Sequence, residues 1–300
     1  MLLLLWSLVG PRRAPQNPGG ARWYGRYFRR PPDPRIRANY QVIGGISDLL
    51  LLFALIAMVQ VAPTAALVLA GLGAIAGGLA VARRAGYERH VGDVSPRPSD
   101  EEMDAALAGH LIEIQRRALT ALGLAGDDIV PAGTFWDPVG VLQGMNWLSR
   151  RDNSPLIVYS PVVTTRSAIG LDGIWRFTAY EVTVLCPTRC HLAVFHCRQD
   201  VLTGKRSDEH THEFFYRDLV SVQTAAVPGP DLVTDPVDHR PWGWLPLSKP
   251  GRRELQFAVP SSDRTVVAVG VTGPTSGAEI RASGIDAATE AVRTLLRATT

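Results

Sequence analysis

Three cysteines and two histidines occur within twelve residues of the chain. The segment CPTRCHLAVFHC, residues 186–197, is followed closely by His210 and His212. Thiolates and imidazoles are preferred ligands of Zn²⁺, and a thiolate beside an imidazole base can act as a nucleophile. The segment is therefore a candidate for a metal site or for a catalytic cysteine, as well as for an ordinary β-hairpin.

The alternation of side chains along a strand separates these groups. If residues 190–200 form a strand, Cys190 and His196 lie on one face, and His191 and Cys197 lie on the other. The members of each pair are six residues apart, which is about 20 Å along a strand, whereas zinc ligands lie within about 2.3 Å of one ion. This strand by itself cannot hold a metal ion.

A β-hairpin offers one arrangement that brings ligands together. A two-residue turn at Thr203 and Gly204, which the sequence does not fix, would place Cys197 opposite His210, with His212 diagonal to Cys197. A slip of one residue in the register exchanges the groups that meet. A metal-dependent enzyme or sensor that uses these three side chains is the alternative hypothesis.

The cysteines lack the sequence signals of activated nucleophiles. Cys186 and Cys190 are separated by three residues, without the second pair of similar spacing that a zinc knuckle has. No cysteine follows a glycine elbow or begins a predicted helix, where a thiolate would be stabilised. We therefore interpret the thiols as structural, and we predict no cofactor, no bound metal and no catalytic residue.

The elements that would position these groups follow a long apolar segment. Residues 42–82 contain a single charged residue, and Pro63 lies near their middle. About 20 apolar residues cross a bilayer, and proline is tolerated in a turn or at a helix start. The sequence therefore predicts a transmembrane hairpin with two helices, at about 42–61 and 64–82.

Arginine flanks this hairpin on both sides. Residues 1–98 carry 12 Arg and 4 acidic residues, a net charge of +8, whereas residues 99–300 carry a net charge of −5. Because positive residues stay in the cytoplasm, we predict a multi-pass protein of the inner membrane with both termini cytoplasmic. Residues 1–41 form a basic, aromatic juxtamembrane segment, and residues 83–98 form a polar linker. The arginines expected to contact the anionic membrane surface are Arg26, Arg29, Arg30, Arg35, Arg37, Arg83 and Arg84.

Residues 99–300 are predicted to form one cytoplasmic α+β domain. Ser99 and the three acidic residues after it are typical of a helix start, and Gly123 is typical of a helix end. The pattern then changes to short β-rich pieces over about 128–275. An amphipathic helix is expected at 284–298.

The order of these elements resembles a known family. A bent antiparallel sheet closed by a C-terminal amphipathic helix is the outline of a pleckstrin-homology-like domain. The segment HLAVFHCRQDVLTGKRSDEHTHEFFYRDLVSVQT, residues 191–224, resembles the bacterial pleckstrin-homology-like domains that are attached to membrane hairpins. The resemblance covers about residues 170–300, and it implies an architecture but no ligand.

These predictions favour a membrane-anchored binding or scaffolding protein over an enzyme. The expected partners are the lipid bilayer and a protein, and not nucleic acid, because the basic charge lies beside the apolar run. Trp242 and Trp244, in a proline-rich loop, are candidates for docking a protein partner. Gly73 and Gly77 allow close helix approach, so the glycine-rich second span offers a surface for homo-oligomers.

Overall fold

The chain folds into two units. The computed structural model describes residues 20–30, 32–60, 63–130, 155–162, 165–219, 221–227, 237–240, 251–259, 262–272 and 284–299. One unit contains Arg29–Arg97 and is helical, and the other combines Gly19–Phe28 with Pro98–Thr300 and contains the strands. We call them the helical unit and the β-rich unit.

Five helices and ten strands are numbered here in chain order. The helices are α1 (Ala21–Gly25), α2 (Pro34–Val59), α3 (Pro63–Val94), α4 (Asp100–Leu122) and α5 (Ile285–Thr299). The strands are β1 (Leu156–Pro161), β2 (Ser167–Ile169), β3 (Trp175–Phe177), β4 (Ala179–Pro187), β5 (His191–Asp200), β6 (Arg206–Phe215), β7 (Ser221–Val227), β8 (Val237–Asp238), β9 (Gly251–Val259) and β10 (Ser262–Thr272).

Helices α2 and α3 are both long enough and apolar enough to cross a membrane. The Asp33 side chain caps α2 by accepting a hydrogen bond from the backbone N–H of Arg35 at 2.8 Å. Helix α3 has 32 residues and continues past the predicted span. Residues 83–94, which we predicted as part of a linker, are therefore helical. Arg84 and Glu88, one turn apart, form an ion pair of 2.7 Å that stabilises this part of the helix.

Small residues form the contact between α2 and α3. The hydroxyl of Ser47 donates a hydrogen bond to the backbone carbonyl of Gly73 at 2.7 Å. A Cβ atom added at Gly73 would lie 3.0 Å from Leu51 Cγ, so the absence of a side chain at Gly73 allows this close approach. Gly73 and Gly77 are both buried, and homo-oligomers through the second span stay a prediction.

Two antiparallel meanders make up most of the β-rich unit. The first sheet has the strand order β1-β4-β5-β6, and the second has the order β10-β9-β7. Strands β2, β3 and β8 form a third, smaller sheet, in which β8 pairs parallel to β2. Helix α5 contacts β1, β9 and β10, and helix α4 contacts β4 and β5.

Strands β1, β4 and most of β5 in the first sheet are buried on both faces. One face packs against α4 and the smaller sheet, and the alternate residues of the same strands face the second sheet and α5. The first core includes Val182, Val184, Phe195, Leu107, Leu111 and Ile114. The second core includes Val158, Leu185, Val194, Leu255, Phe257 and Val292.

The segment before the hairpin belongs to the β-rich unit. Tyr27 and Phe28 are buried in the first core, and Nε2 of His239 lies 2.8 Å from the backbone carbonyl oxygen of Tyr27. Residues 1–41, which we predicted as one juxtamembrane segment, are thus divided between two units. The aromatic side chains at 27 and 28 pack in a protein core because tertiary burial removes them from water.

Arg176 is the centre of a buried ionic network. Its guanidinium donates hydrogen bonds to Asp104 at 2.8 and 3.0 Å and to Asp172 at 2.7 and 3.0 Å. The Tyr27 hydroxyl donates to Asp100 at 2.7 Å and accepts from Arg176 at 3.3 Å. The network therefore joins the segment before the hairpin, the first turn of α4 and the turn between β2 and β3.

Local backbone features position this network. Ser99 and Glu102 form a capping box at the start of α4, which fixes the direction of Asp100 and Asp104, one turn apart. Gly170 packs directly on Arg176 and Asp172, and a Cβ atom there would overlap both side chains. Burial raises the pKa of Tyr27 well above its ordinary value, so the phenol stays protonated and keeps its hydrogen bond to the carboxylate.

We expect Arg176→Met to lower the free energy of unfolding of the β-rich unit by about 3–5 kcal/mol, because Asp104 would remain buried without its partner. Urea unfolding of the full chain in detergent micelles, followed by near-UV circular dichroism, measures this loss. The matched control is Arg116→Met, whose pair with Glu113 is exposed and should contribute less than about 1 kcal/mol. Equal losses for the two variants would contradict the prediction.

Candidate functional site

The three cysteines lie in two different environments. Cys186 and Cys197 are buried in the first core, and Cys190 is exposed. Burial raises the pKa of Cys186 and of Cys197 to about 12. Both buried thiols are therefore protonated at neutral pH, and neither can serve as a nucleophile or as a thiolate ligand without a large change in its surroundings.

The connection between β5 and β6 is longer than the two-residue turn that the alternative hypothesis requires. The N–H of Asp200 donates to the carbonyl of Lys205 at 3.0 Å, and the N–H of Gly204 donates to the carbonyl of Asp200 at 2.9 Å. Residues 201–205 connect the two strands. Gly204 has a φ of 69°, a left-handed conformation that glycine adopts without steric cost.

A β-bulge in β6 changes the register further along the hairpin. Two residues of β6, of which one is Asp208, lie where β5 has only Cys197. Asp208 has a φ of 56°, as residues in bulges often do. His210 consequently lies opposite His196, and not opposite Cys197. The predicted set of Cys197, His210 and His212 does not form, because Cys197 faces the core on the α4 side.

Three imidazoles come together on the other face of this hairpin. The ring centroids of His196 and His210 are 4.7 Å apart, and those of His210 and His212 are 5.3 Å apart. Thr183 on β4 lies beside them, with its Oγ1 3.0 Å from Nδ1 of His196. We call His196, His210 and His212 the histidine cluster.

The histidine cluster lines a cavity of about 100 Å³ between the first sheet and β10. Imidazoles and the Thr183 hydroxyl form its polar side, and residues 266–269 of β10 form an apolar side. Sites for cofactors and drug-sized ligands have volumes of about 300–1,000 Å³. This cavity is therefore large enough for an ion or a few water molecules, and too small for an organic cofactor.

The protonation states of the cluster follow from its surroundings. Nδ1 of His210 lies 3.0 Å from the carbonyl oxygen of Asp208. Because a carbonyl oxygen only accepts, Nδ1 of His210 carries a proton and donates it to this contact. Burial, with a further contribution from His210, lowers the pKa of His196 to about 4, so His196 is neutral at physiological pH.

The side chains as they stand do not surround a single point. Across the described part of the chain, no group of three or more His, Cys, Asp or Glu side chains is arranged to hold a metal ion. His196 is half-buried, whereas His210 and His212 are exposed. The sequence did not place His196 beside His210 and His212. The local signal for a histidine cluster was the His-x-His spacing at residues 210 and 212.

The arginines predicted at the membrane surface are mostly exposed. Arg26 is half-buried in the β-rich unit, with its guanidinium carbon 5.9 Å from the centre of the Trp23 ring. Arg29 lies 3.9 Å from Asp93 within the helical unit, and Arg84 is half-buried. The exposed members of the set are Arg29, Arg30, Arg35, Arg37 and Arg83.

Comparisons of the chain with family models, with curated proteins and with solved structures found no match. The conclusions about function therefore depend on the residues and distances given above. Trp242 and Trp244 lie outside the residues that the structure describes, and their docking role stays a prediction.

We expect one of the three cysteines to react with a maleimide in the folded protein, and all three after unfolding. Cys190 is exposed, whereas the buried thiols are protonated and inaccessible. Mass spectrometry of the labelled full chain measures the number of adducts. Cys190→Ser should remove native labelling, and Cys186→Ser should leave it unchanged. Rapid native labelling of Cys197 would show that our account of the thiols is wrong.

We expect His196 to make the β-rich unit less stable as the pH falls from about 6.5 to about 4. The folded state keeps this imidazole neutral down to its lowered pKa of about 4, against an ordinary value of 6.5, so the unfolded state binds one more proton within this window. His196→Gln should therefore reduce the slope of the unfolding free energy against pH by up to about 1.4 kcal/mol per pH unit, which is the limit for one proton.

Urea unfolding at a series of pH values measures this dependence. His90→Gln is the control, since His90 is an exposed histidine of α3 in the other unit. If the unfolding free energies of His196→Gln and of the parent protein change equally with pH between 4 and 6.5, His196 is not protonated preferentially in the unfolded state.

Proposed function

We propose that this protein is a membrane-anchored cytoplasmic binding or scaffolding module without catalytic activity. In this proposal α2 and α3 cross the inner membrane, and both termini lie in the cytoplasm. The β-rich unit is a pleckstrin-homology-like domain that binds a protein partner at the membrane.

The distribution of side chains on α2 and α3 carries this proposal. The two helices bury small residues against each other and expose large apolar ones, with Met58, Val59 and Leu67 exposed by 69%, 78% and 75%. Soluble monomers rarely expose apolar patches larger than a few hundred Å². A bilayer removes this surface from water, and each 100 Å² so removed is stabilising by about 2.5 kcal/mol.

The segments that flank the hairpin belong to one folded unit, which supports the proposed topology. Tyr27 precedes α2, Asp100 follows α3, and their side chains share a hydrogen bond of 2.7 Å. This contact supports a hairpin that starts and finishes on the same side of a bilayer. The excess of arginine beside the helices favours the cytoplasm as that side.

The strand order supports a pleckstrin-homology-like architecture. A four-stranded meander is followed by a three-stranded meander and by a C-terminal helix that contacts both sheets. This order is similar to the outline that the sequence resembles. The small sheet of β2, β3 and β8 is an addition to that outline. Domains that share a fold serve varied roles, so the architecture supports a binding role and does not identify the ligand.

Membrane insertion is tested with substitutions on the exposed faces of the hairpin. Part or all of the double variant Leu55→Arg/Ile75→Arg should fail to insert and should be absent from the membrane pellet after ultracentrifugation. Each Arg at a span centre costs about 2.5–3.5 kcal/mol, which opposes insertion. Leu55→Ala/Ile75→Ala is the matched control. A soluble hairpin would tolerate the Arg variant, because Leu55 and Ile75 are 61% and 65% exposed. The proposal would be refuted if the parent chain and the Arg variant both stayed folded in the supernatant after ultracentrifugation.

The same membranes test the topology and the binding role. A fluorescent reporter fused after Thr300 should be active in the cytoplasm, and a reporter inserted at residues 61–62 should be active only outside it. Chemical crosslinking in intact membranes should retain a protein partner with the parent chain, and Trp242→Ala/Trp244→Ala should lose it. Retention of the same partner by this double variant would exclude the two tryptophans as the docking residues.

A further inference from the structure

The backbone places the histidine cluster where three imidazoles can reach one ion. His210 and His212 are two residues apart on β6 and therefore share a face. His196 is the direct cross-strand partner of His210. Side chains directly opposite each other have Cβ atoms about 4.5–5.5 Å apart, and diagonal neighbours are about 7–8 Å apart. An imidazole nitrogen binds zinc at about 2.0–2.1 Å, and these separations allow three rings to meet at one point.

We propose that the histidine cluster binds one divalent transition-metal ion, of which Zn²⁺ fits best, through imidazole nitrogens of His196, His210 and His212. This site is independent of the proposed membrane anchoring and of any protein partner. It replaces the predicted ligand Cys197 with His196.

The available nitrogens support this assignment. In metal sites a ligating histidine almost always donates its second ring N–H to a carbonyl, a carboxylate or water, and this contact orients the ring. Nδ1 of His210 already donates to the carbonyl of Asp208 at 3.0 Å. Nδ1 of His196 lies 3.0 Å from the Thr183 hydroxyl. The Nε2 atoms of His196 and His210 are thus the nitrogens that would bind the ion.

The shape of the cavity favours an ion with an open coordination position. The space of about 100 Å³ beside the cluster accommodates a water molecule or a small ligand as a fourth group. Three protein nitrogens with one open position are typical of zinc sites that bind water or substrate. Imidazole suits zinc and related transition metals, whereas Mg²⁺ and Ca²⁺ prefer oxygen ligands. The cluster therefore favours a transition metal.

Small rotations of the two exposed rings would close the site. His210 and His212 are exposed on the edge strand, and exposed side chains move on the picosecond to nanosecond scale. His196 would keep its contact with Thr183, and His210 would keep its contact with the carbonyl of Asp208. Binding of the ion would bring the three nitrogens to one point.

Zinc binding by the full chain in detergent micelles tests the proposal. After treatment with a chelator, calorimetric titration with Zn²⁺ at pH 7.5 should give one ion per chain, and Co²⁺ should give the absorption of a tetrahedral site. His210→Gln and His212→Gln should each weaken binding by at least about tenfold, since even changes outside the ligand set cost 10–100-fold. His191→Gln is the matched control on the same hairpin.

Several outcomes would overturn the proposal. The first is the absence of saturable Zn²⁺ binding by the parent chain. The second is an equal Zn²⁺ affinity of the parent chain and of the double variant His210→Gln/His212→Gln. The third is loss of Zn²⁺ binding in Cys190→Ser and not in the histidine variants. Thermal unfolding gives a second measurement. It uses the parent chain and the exposed double variant, so it does not require a variant at the half-buried His196 to fold. Zn²⁺ should raise the unfolding temperature of the parent chain and leave that of the exposed double variant unchanged.

Discussion

The hydrogen bond between Tyr27 and Asp100, supported by Arg176, is the contact within the β-rich unit on which the packing of α4 and of the segment before the hairpin depends. It joins residues that are 73 positions apart in the sequence. Arg176 is 4% exposed, and a buried charge of this kind is tolerated only when its partners satisfy its donors. The carboxylates of Asp104 and Asp172, the phenol of Tyr27 and the backbone carbonyl of Ile174 do so here. The same network fixes the β2–β3 turn, so one polar cluster sets the positions of three separate parts of the β-rich unit.

Burial of the first sheet on both faces decides where polar chemistry can occur. Strands β1 and β4 are almost wholly buried, because α4 covers one face and the second sheet covers the other. Polar side chains therefore collect on β6, the edge strand, which is exposed along most of its length. The histidine cluster lies there, at the border between core and solvent. Lys is scarce in this strand, while His and acidic residues occupy the positions that face water.

The apolar hairpin and the histidine cluster lie in separate units. The apolar surface of α2 and α3 makes both helices candidates for membrane spans. The cluster follows from the register of β5 and β6, and a small cavity lies between it and residues 266–269 of β10. Cys186 and Cys197 are buried on the opposite face of the sheet, away from the cluster.

The sequence alone determined the elements whose cause is local. The apolar run with Pro63 predicts the hairpin, Ser99 and Gly123 bound α4, and the apolar stripe at the C-terminus predicts α5, because length, caps and periodicity act within a few residues. Only the tertiary structure decided the register of β5 with β6 and the burial of Tyr27. The five-residue connection and the bulge at Asp208 set that register, and Tyr27 is held by partners far away in sequence. No local pattern reports contacts of that kind.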